Sequence, residues 1–153
     1  MRSEHAGIMP NLAALYDEDF FEWTQWNAEL LRAGQTGQAD IAHIAEEIED
    51  MGKRDLKELN SRLQVLLMHL LKWQLQPEMR SRSWERTIID QRLQLETLLE
   101  QSPSLRPRSQ AYLESNYEKA VHLAAFETRI PASQFPSKCP FSMAQILDRD
   151  FMP

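Results

Sequence analysis

Apolar residues recur at helical spacing along most of this chain, and their longest unbroken pattern lies between residues 40 and 73. Ile41, Ile44, Ala45, Ile48, Gly52, Leu56, Leu59, Leu63, Leu66, Leu67 and Leu70 stay on one face at about 100° per residue. The spacing predicts one very long central helix beginning between Gln38 and Asp40. Pro77 stops it, because the residue before a proline is pushed out of the α region. Gly52 falls in the middle of the strip, where it either admits another helix at close range or marks a bend.

Shorter patterns flank this one. Residues 1–15 read as an N-terminal tail and residues 16–153 as a single helical domain. A first helix is expected from Asp17, with Phe20, Trp23, Asn27, Leu30 and Leu31 at helical spacing and Gly34 as the left-handed residue past its end. A third helix, capped by Ser81 or Ser83, turns Trp84, Ile88, Gln91, Leu95, Leu98 and Leu99 inward. Residues 102–107 read as a turn, and a fourth helix over about 107–128 places Leu113, Tyr117, Val121 and Ala124 inward. Pro131, Pro136 and Pro140 make an irregular strap. Ser142-x-x-Gln145 then fits a capping box for a short last helix anchored by Phe141, Ile146, Leu147 and Phe151. The fold class is all-α: an up-and-down bundle of about four main helices around one long central helix, with a proline-rich C-terminal strap and a short final helix.

The predicted lengths do not match. At about 1.5 Å per residue the central helix is about 50 Å long, the first about 24 Å and the third about 27 Å. The half of the central helix that begins at Asp40 is therefore thinly covered. A bare strip of Ile41, Ile44 and Ile48 forgoes roughly 1.5–3 kcal/mol per side chain. The strap with the last helix, a bend at Gly52 or a second chain would each repair this; the expectation is that the strap or a dimer covers the strip.

Charge sharpens the same division. The chain carries −6 overall, which argues against nonspecific nucleic-acid binding by the whole surface. Residues 1–50 hold 11 acidic and 2 basic side chains, whereas residues 51–92 hold 5 acidic and 9 basic. The basic stretch alone is a weak nucleic-acid candidate, because the rest of the chain repels phosphate. The split is either a pair of solvated faces that partly neutralise each other in the fold or a polarised partner surface. Cys139 is the only cysteine, so no intramolecular disulfide is formed, in keeping with a reducing cytoplasm. No apolar run approaches the roughly 18 residues of a membrane span, and the first ten residues lack the apolar core of a secretion signal.

Candidate chemistry is sparse. Glu46, Glu47, Glu49 and Asp50 invite a metal reading, but carboxylate di-metal bundles use Glu-x-x-His pairs and this chain has none. Asp40-x-x-His43 comes nearest, and there Asp40 is better explained as a helix cap. Only Glu47 and Glu49 flank the apolar strip. His43 and His69 lie about 39 Å apart on one straight helix and cannot share an ion. His122 follows Glu118 by one turn, enough for a surface pair, and His5 lies in the tail. No metal and no cofactor is expected. Cys139 has no base beside it in sequence and reads as a packed thiol. Arg80, Arg82 and Arg86, with Ser83, sit at a helix start where free N–H groups also face outward, a combination suited to phosphate or carboxylate. Against that stands a structural role, with the arginines bridging to acids across the turn and Trp84 in the core.

Several motifs occur together in a fixed order: Tyr16-Asp-Glu-Asp-Phe20-x-x-Trp23, Leu30-Leu-Arg-Ala-Gly34, Ala45-Glu-Glu-Ile-Glu-Asp-Met-Gly52, Leu66-Leu-x-His69-Leu-Leu-Lys-Trp73, Ser81-Arg-Ser-Trp84-x-x-Thr-Ile88, Ser102-Pro-Ser-Leu-Arg-Pro107, Phe135-Pro-x-x-Cys139-Pro-Phe-Ser142 and Leu147-Asp-x-Asp-Phe151. Together they resemble the bacterial domain-of-unknown-function family 29 from Tyr16 to the C-terminus. The resemblance implies a small, free-standing, all-helical bacterial protein without an established activity, and it carries no catalytic residues over to this chain.

Two function classes follow. One is a non-enzymatic interaction or regulatory module, antitoxin-like in neutralising a basic target, that binds a protein partner or a second copy through Glu46, Glu47, Glu49 and Asp50. The other is a small-anion binder or enzyme that uses Arg80, Arg82 and Arg86, with Glu47 or His69 as acid–base group. The first is favoured, in the cytoplasm and without a membrane partner.

Overall fold

A computed structural model describes residues 7–153. Among these the regular structure is all helical, with seven α-helices and no strand. The helices are α1 (Leu12–Glu18), α2 (Phe20–Arg32), α3 (Ile41–Leu75), α4 (Arg82–Gln101), α5 (Leu105–Ala111), α6 (Leu113–Thr128) and α7 (Met143–Leu147). The expected histidine in the tail, His5, lies outside the described residues. The long central helix is confirmed as α3, 35 residues of uninterrupted α-helix. Contacts divide the chain into two compact units whose boundary, between Lys53 and Arg54, falls inside α3.

The first unit corrects the expected start at Asp17. Two helices occupy this stretch, because each has its own cap. Asn11 accepts from the Ala14 N–H at 3.2 Å and starts α1, and Asp19 accepts from the Glu22 N–H at 3.0 Å and starts α2. Gly34, at φ +73°, ends α2 as expected. The Gln35 N–H reaches Leu30 O at 2.8 Å and the Gly34 N–H reaches Leu31 O at 3.1 Å, the paired bonds of a Schellman ending. Leu12, Trp23 and Leu30 form a small core, with Leu15, Tyr16, Trp26, Ala39 and Ile44 packed against it.

The second unit holds the main core. Leu59, Leu63, Leu66, Leu67, Leu70 and Leu71 of α3 are fully buried and pack with Ile88, Leu95 and Leu99 of α4, Ala120 and Ala124 of α6, and Ile146 of α7. The register of α6 is set by polar groups. Asn116 is buried, accepts from Gln64 Nε2 at 2.9 Å and donates to Asn60 Oδ1 at 2.9 Å. The single fourth helix expected over 107–128 is two helices, broken at Tyr112, and α5 begins inside the expected turn. Pro107 is tolerated there because it is the third residue of α5, where a helical N–H has no intrahelical acceptor. The strap lies along α6, with Phe135 buried and the Tyr117 hydroxyl donating to Pro136 O at 2.6 Å. α7 has the capping box read from Ser142 and Gln145.

Candidate functional site

The acidic half of α3 is built around a line of residues left uncovered. At 100° per residue Ile41, Ala45, Ile48 and Gly52 fall on one line of the helix. Ile41 is 49% exposed, Ile48 59% and neighbouring Met51 53%. Ala45 and Gly52 are exposed as well. This bears on the expected cover by the strap or a second chain: Phe135, Phe141 and Ile146 are buried in the second unit's core. It also corrects one reading of Gly52. No atom lies within 4 Å of where its Cβ would stand, so no helix of the described chain approaches it.

The reason for the bare line is the face on which α1 and α2 pack. They meet the start of α3 through Asp40, His43, Ile44 and Glu47, and leave Ile41 and Ile48 exposed. The His43 ring lies flat on Tyr16, with centroids 4.0 Å apart and planes 10° apart. The Tyr16 hydroxyl donates to Glu47 Oε1 at 2.5 Å. Asp40 caps α3 and accepts from Trp23 Nε1 at 3.0 Å and His43 Nδ1 at 2.7 Å. The Asp40 N–H in turn donates to Asn27 Oδ1 at 2.8 Å, and Asn27 Nδ2 donates to Trp23 O at 2.8 Å. Asp40 was legible as a cap. Its partners Trp23 and Asn27, and the stacking of Tyr16 on His43, left no signal in local spacing.

These bonds set the protonation of the network. The bond to Glu47, then burial, push the Tyr16 hydroxyl up to about 12, so it remains a donor. Burial works to raise the Asp40 carboxyl, but the bonds from His43 and Trp23 outweigh it and hold it below its usual range. The bond to Asp40 raises His43 against the effect of burial, with Glu46 and Asp17 adding to the rise. The group is thus a hydrogen-bonded Asp40–His43 pair with the Tyr16 phenol stacked beside it, and it joins α1 and α2 to the start of α3.

The four acids of the expected partner surface do not behave alike. Glu46 and Glu49 are exposed, Glu47 and Asp50 half-buried. Glu49 borders the bare line, whereas Glu47 lies on the face that meets Tyr16.

The arginine cluster does not converge. Arg80 donates from Nε to Trp73 O at 2.9 Å and from Nη2 to Pro153 O at 3.4 Å, with its guanidinium 4.8 Å above the Trp73 ring. Arg82 and Arg86 are exposed one turn apart on α4, and neither bridges to an acid among the described residues. Ser81, not Ser83, is the cap, accepting from the Trp84 N–H at 3.2 Å, while Ser83 is exposed. Trp84 is half-buried, with Lys72 Nζ 4.5 Å above its ring. Lys72, only 7% exposed, was missed as a core residue; it bonds Glu127 Oε2 at 2.7 Å.

The other titratable groups have structural partners. His69 Nδ1 donates to Val65 O at 2.8 Å, and burial, only partly offset by that bond, lowers its pKa. Burial raises the Cys139 thiol, whose Sγ lies 3.4 Å from Phe141 O. His122 lines an open groove with Gln64, Glu118, Lys119 and Leu123. Among the described residues no three His, Cys, Asp or Glu side chains gather to hold a metal ion. No helix among them is long and apolar enough to cross a membrane.

A long helix shared by two small helical units defines the chain as all-helical. The chain belongs to the family described as domain of unknown function DUF29, which matches residues 15–152. No curated protein and no solved structure matches it.

Proposed function

We propose that the chain is a non-enzymatic protein-interaction module of the bacterial cytoplasm. On this reading it regulates a basic protein by engaging it through the acidic half of α3, as an antitoxin engages its target. One observation carries the reading: Ile41 and Ile48 stay about half exposed on a single helix line although the chain has a full apolar core elsewhere. Scattered apolar exposure is ordinary, but a line in helical register is what helix-in-groove and coiled-coil partners use. The anion-binding alternative loses Arg80, whose donors are already used within the chain.

A photo-crosslinking benzoylphenylalanine at position 48, expressed in the source organism, is expected to give a discrete protein adduct. The same group at position 93, an exposed site on α4, should give none. Equal adduct patterns from both positions, or none from 48, would contradict the assignment.

A further inference from the structure

We infer that the partner presents a basic amphipathic helix, laid along the Ile41–Ala45–Ile48–Gly52 line; this rests on the interaction reading above and names the chemistry of its partner. The first argument is the alternation of the line. Two large apolar side chains are separated by Ala45 and followed by Gly52, which gives two knobs and two places for knobs from outside. Glycine inside an exposed helix costs about 1 kcal/mol relative to alanine. Gly52 gains nothing for that within the chain, since its open side faces empty space. A crossing helix would use that space.

The second argument is charge. Exposed Glu49 borders the line, with exposed Glu46 beyond it on the same side, and residues 1–53 carry 11 acidic against 3 basic side chains. Flanking charges of this kind select the partner of a helix pair. A second copy offering the same face brings the same excess of acidic charge against it. Other exposed helix faces of the described chain that mix apolar and basic groups have no net positive charge to offer: Arg82, Arg86, Ile89 and Leu93 of α4 are interleaved with Glu85 and Asp90, and Lys119, Leu123 and Phe126 of α6 with Glu118 and Glu127. The complementary occupant is therefore another protein's helix, with apolar residues at i, i+4, i+7 and i+11 and lysine or arginine beside them.

The test uses the full chain and a designed helical peptide with leucines at that spacing and lysines on both flanks. Its controls are a peptide of the same composition with the spacing scrambled and one with glutamates in place of the lysines. Fluorescence anisotropy is expected to show saturable binding of the periodic basic peptide and at least tenfold weaker binding of both controls. Ile48→Asp and Gly52→Leu should each weaken the first by at least tenfold, with helicity by circular dichroism unchanged. Equal binding of the scrambled peptide would reduce the effect to bulk charge and overturn the inference. So would absence of binding, insensitivity to both substitutions, or self-association of the chain lost on Ile48→Asp. If the peptide fails while position 48 still crosslinks to a protein, the helix assignment falls and the interaction reading stands.

Discussion

Arg92→Ala is expected to destabilise the second unit by about 3 kcal/mol or more, the largest loss expected from any single polar side chain here. Arg92 is 2% exposed on α4. Its Nε donates to Ile146 O at 2.8 Å and its Nη2 to Gln145 O at 3.3 Å. Those carbonyls end α7, a helix of five residues; Gln145 O also accepts from the Asp148 N–H at 3.3 Å, whereas Ile146 O lies in the last turn, where a C=O has no intrahelical donor. One guanidinium therefore satisfies the end of α7 and ties it to α4. Burial lowers the Arg92 pKa, and Asp148 nearby partly offsets that. Alanine would leave the Ile146 carbonyl without this donor, weaken the bonding of Gln145 O and open a void where the alkyl stem packed. Arg92→Lys should recover only part of the loss, because one ammonium cannot reproduce the two-armed geometry. Urea unfolding of the three proteins measures this, and a loss under 1 kcal/mol in Arg92→Ala would remove the assigned role.

The second large effect lies in the first unit. Asp40→Ala removes the cap of α3 and the acceptor for both Trp23 and His43, and should cost about 2–3 kcal/mol. Its pH dependence identifies the mechanism. His43 has a raised pKa in the folded chain, so its contribution is complete below the unfolded value of about 6.5 and is lost as pH rises through the folded value. Asp40 has a lowered pKa, so its contribution is complete above about 3.9 and is lost as pH falls through the folded value. The first unit should then be most stable between those limits, at mildly acidic pH. His69 in the second unit has the opposite sign: its lowered pKa means that acidification below about 6.5 destabilises. Amide exchange in α2 should therefore slow from pH 8 to pH 6, after correction for intrinsic rates, and the slowing should vanish in Asp40→Asn. An unchanged profile in that variant would show that the dyad does not hold the unit together.

Much of this architecture was legible because it is local. The α3 strip, the Gly34 ending, the Pro77 stop and the Ser142–Gln145 box each depend on residues within a turn or two of one another, and each appears where the pattern puts it. What was not legible depends on tertiary neighbours. Lys72 reads as a solvated helix end, and only Glu127 and the Trp84 ring explain its burial. Asn116 looks like an exposed position until Gln64 and Asn60 are placed beside it. The break at Tyr112 has no proline or glycine to announce it. The acidic line was legible as an anomaly of lengths, and the strap's aromatics Phe135 and Phe141 pack in the second unit's core. Position in the strip predicted that Ile41 and Ile48 need a cover, and the fold supplies none from within the described chain.

An interaction surface on α3 requires that line to be open in the free protein. Ile48→Cys in a Cys139→Ser background, reacted with a water-soluble maleimide at micromolar concentration, tests it most directly. The expected rate is within about tenfold of the urea-unfolded chain and independent of protein concentration, as for a half-exposed side chain. Protection of a hundredfold or more in the dilute, folded protein would show that the chain covers this face itself and would contradict the assignment of an interaction surface there.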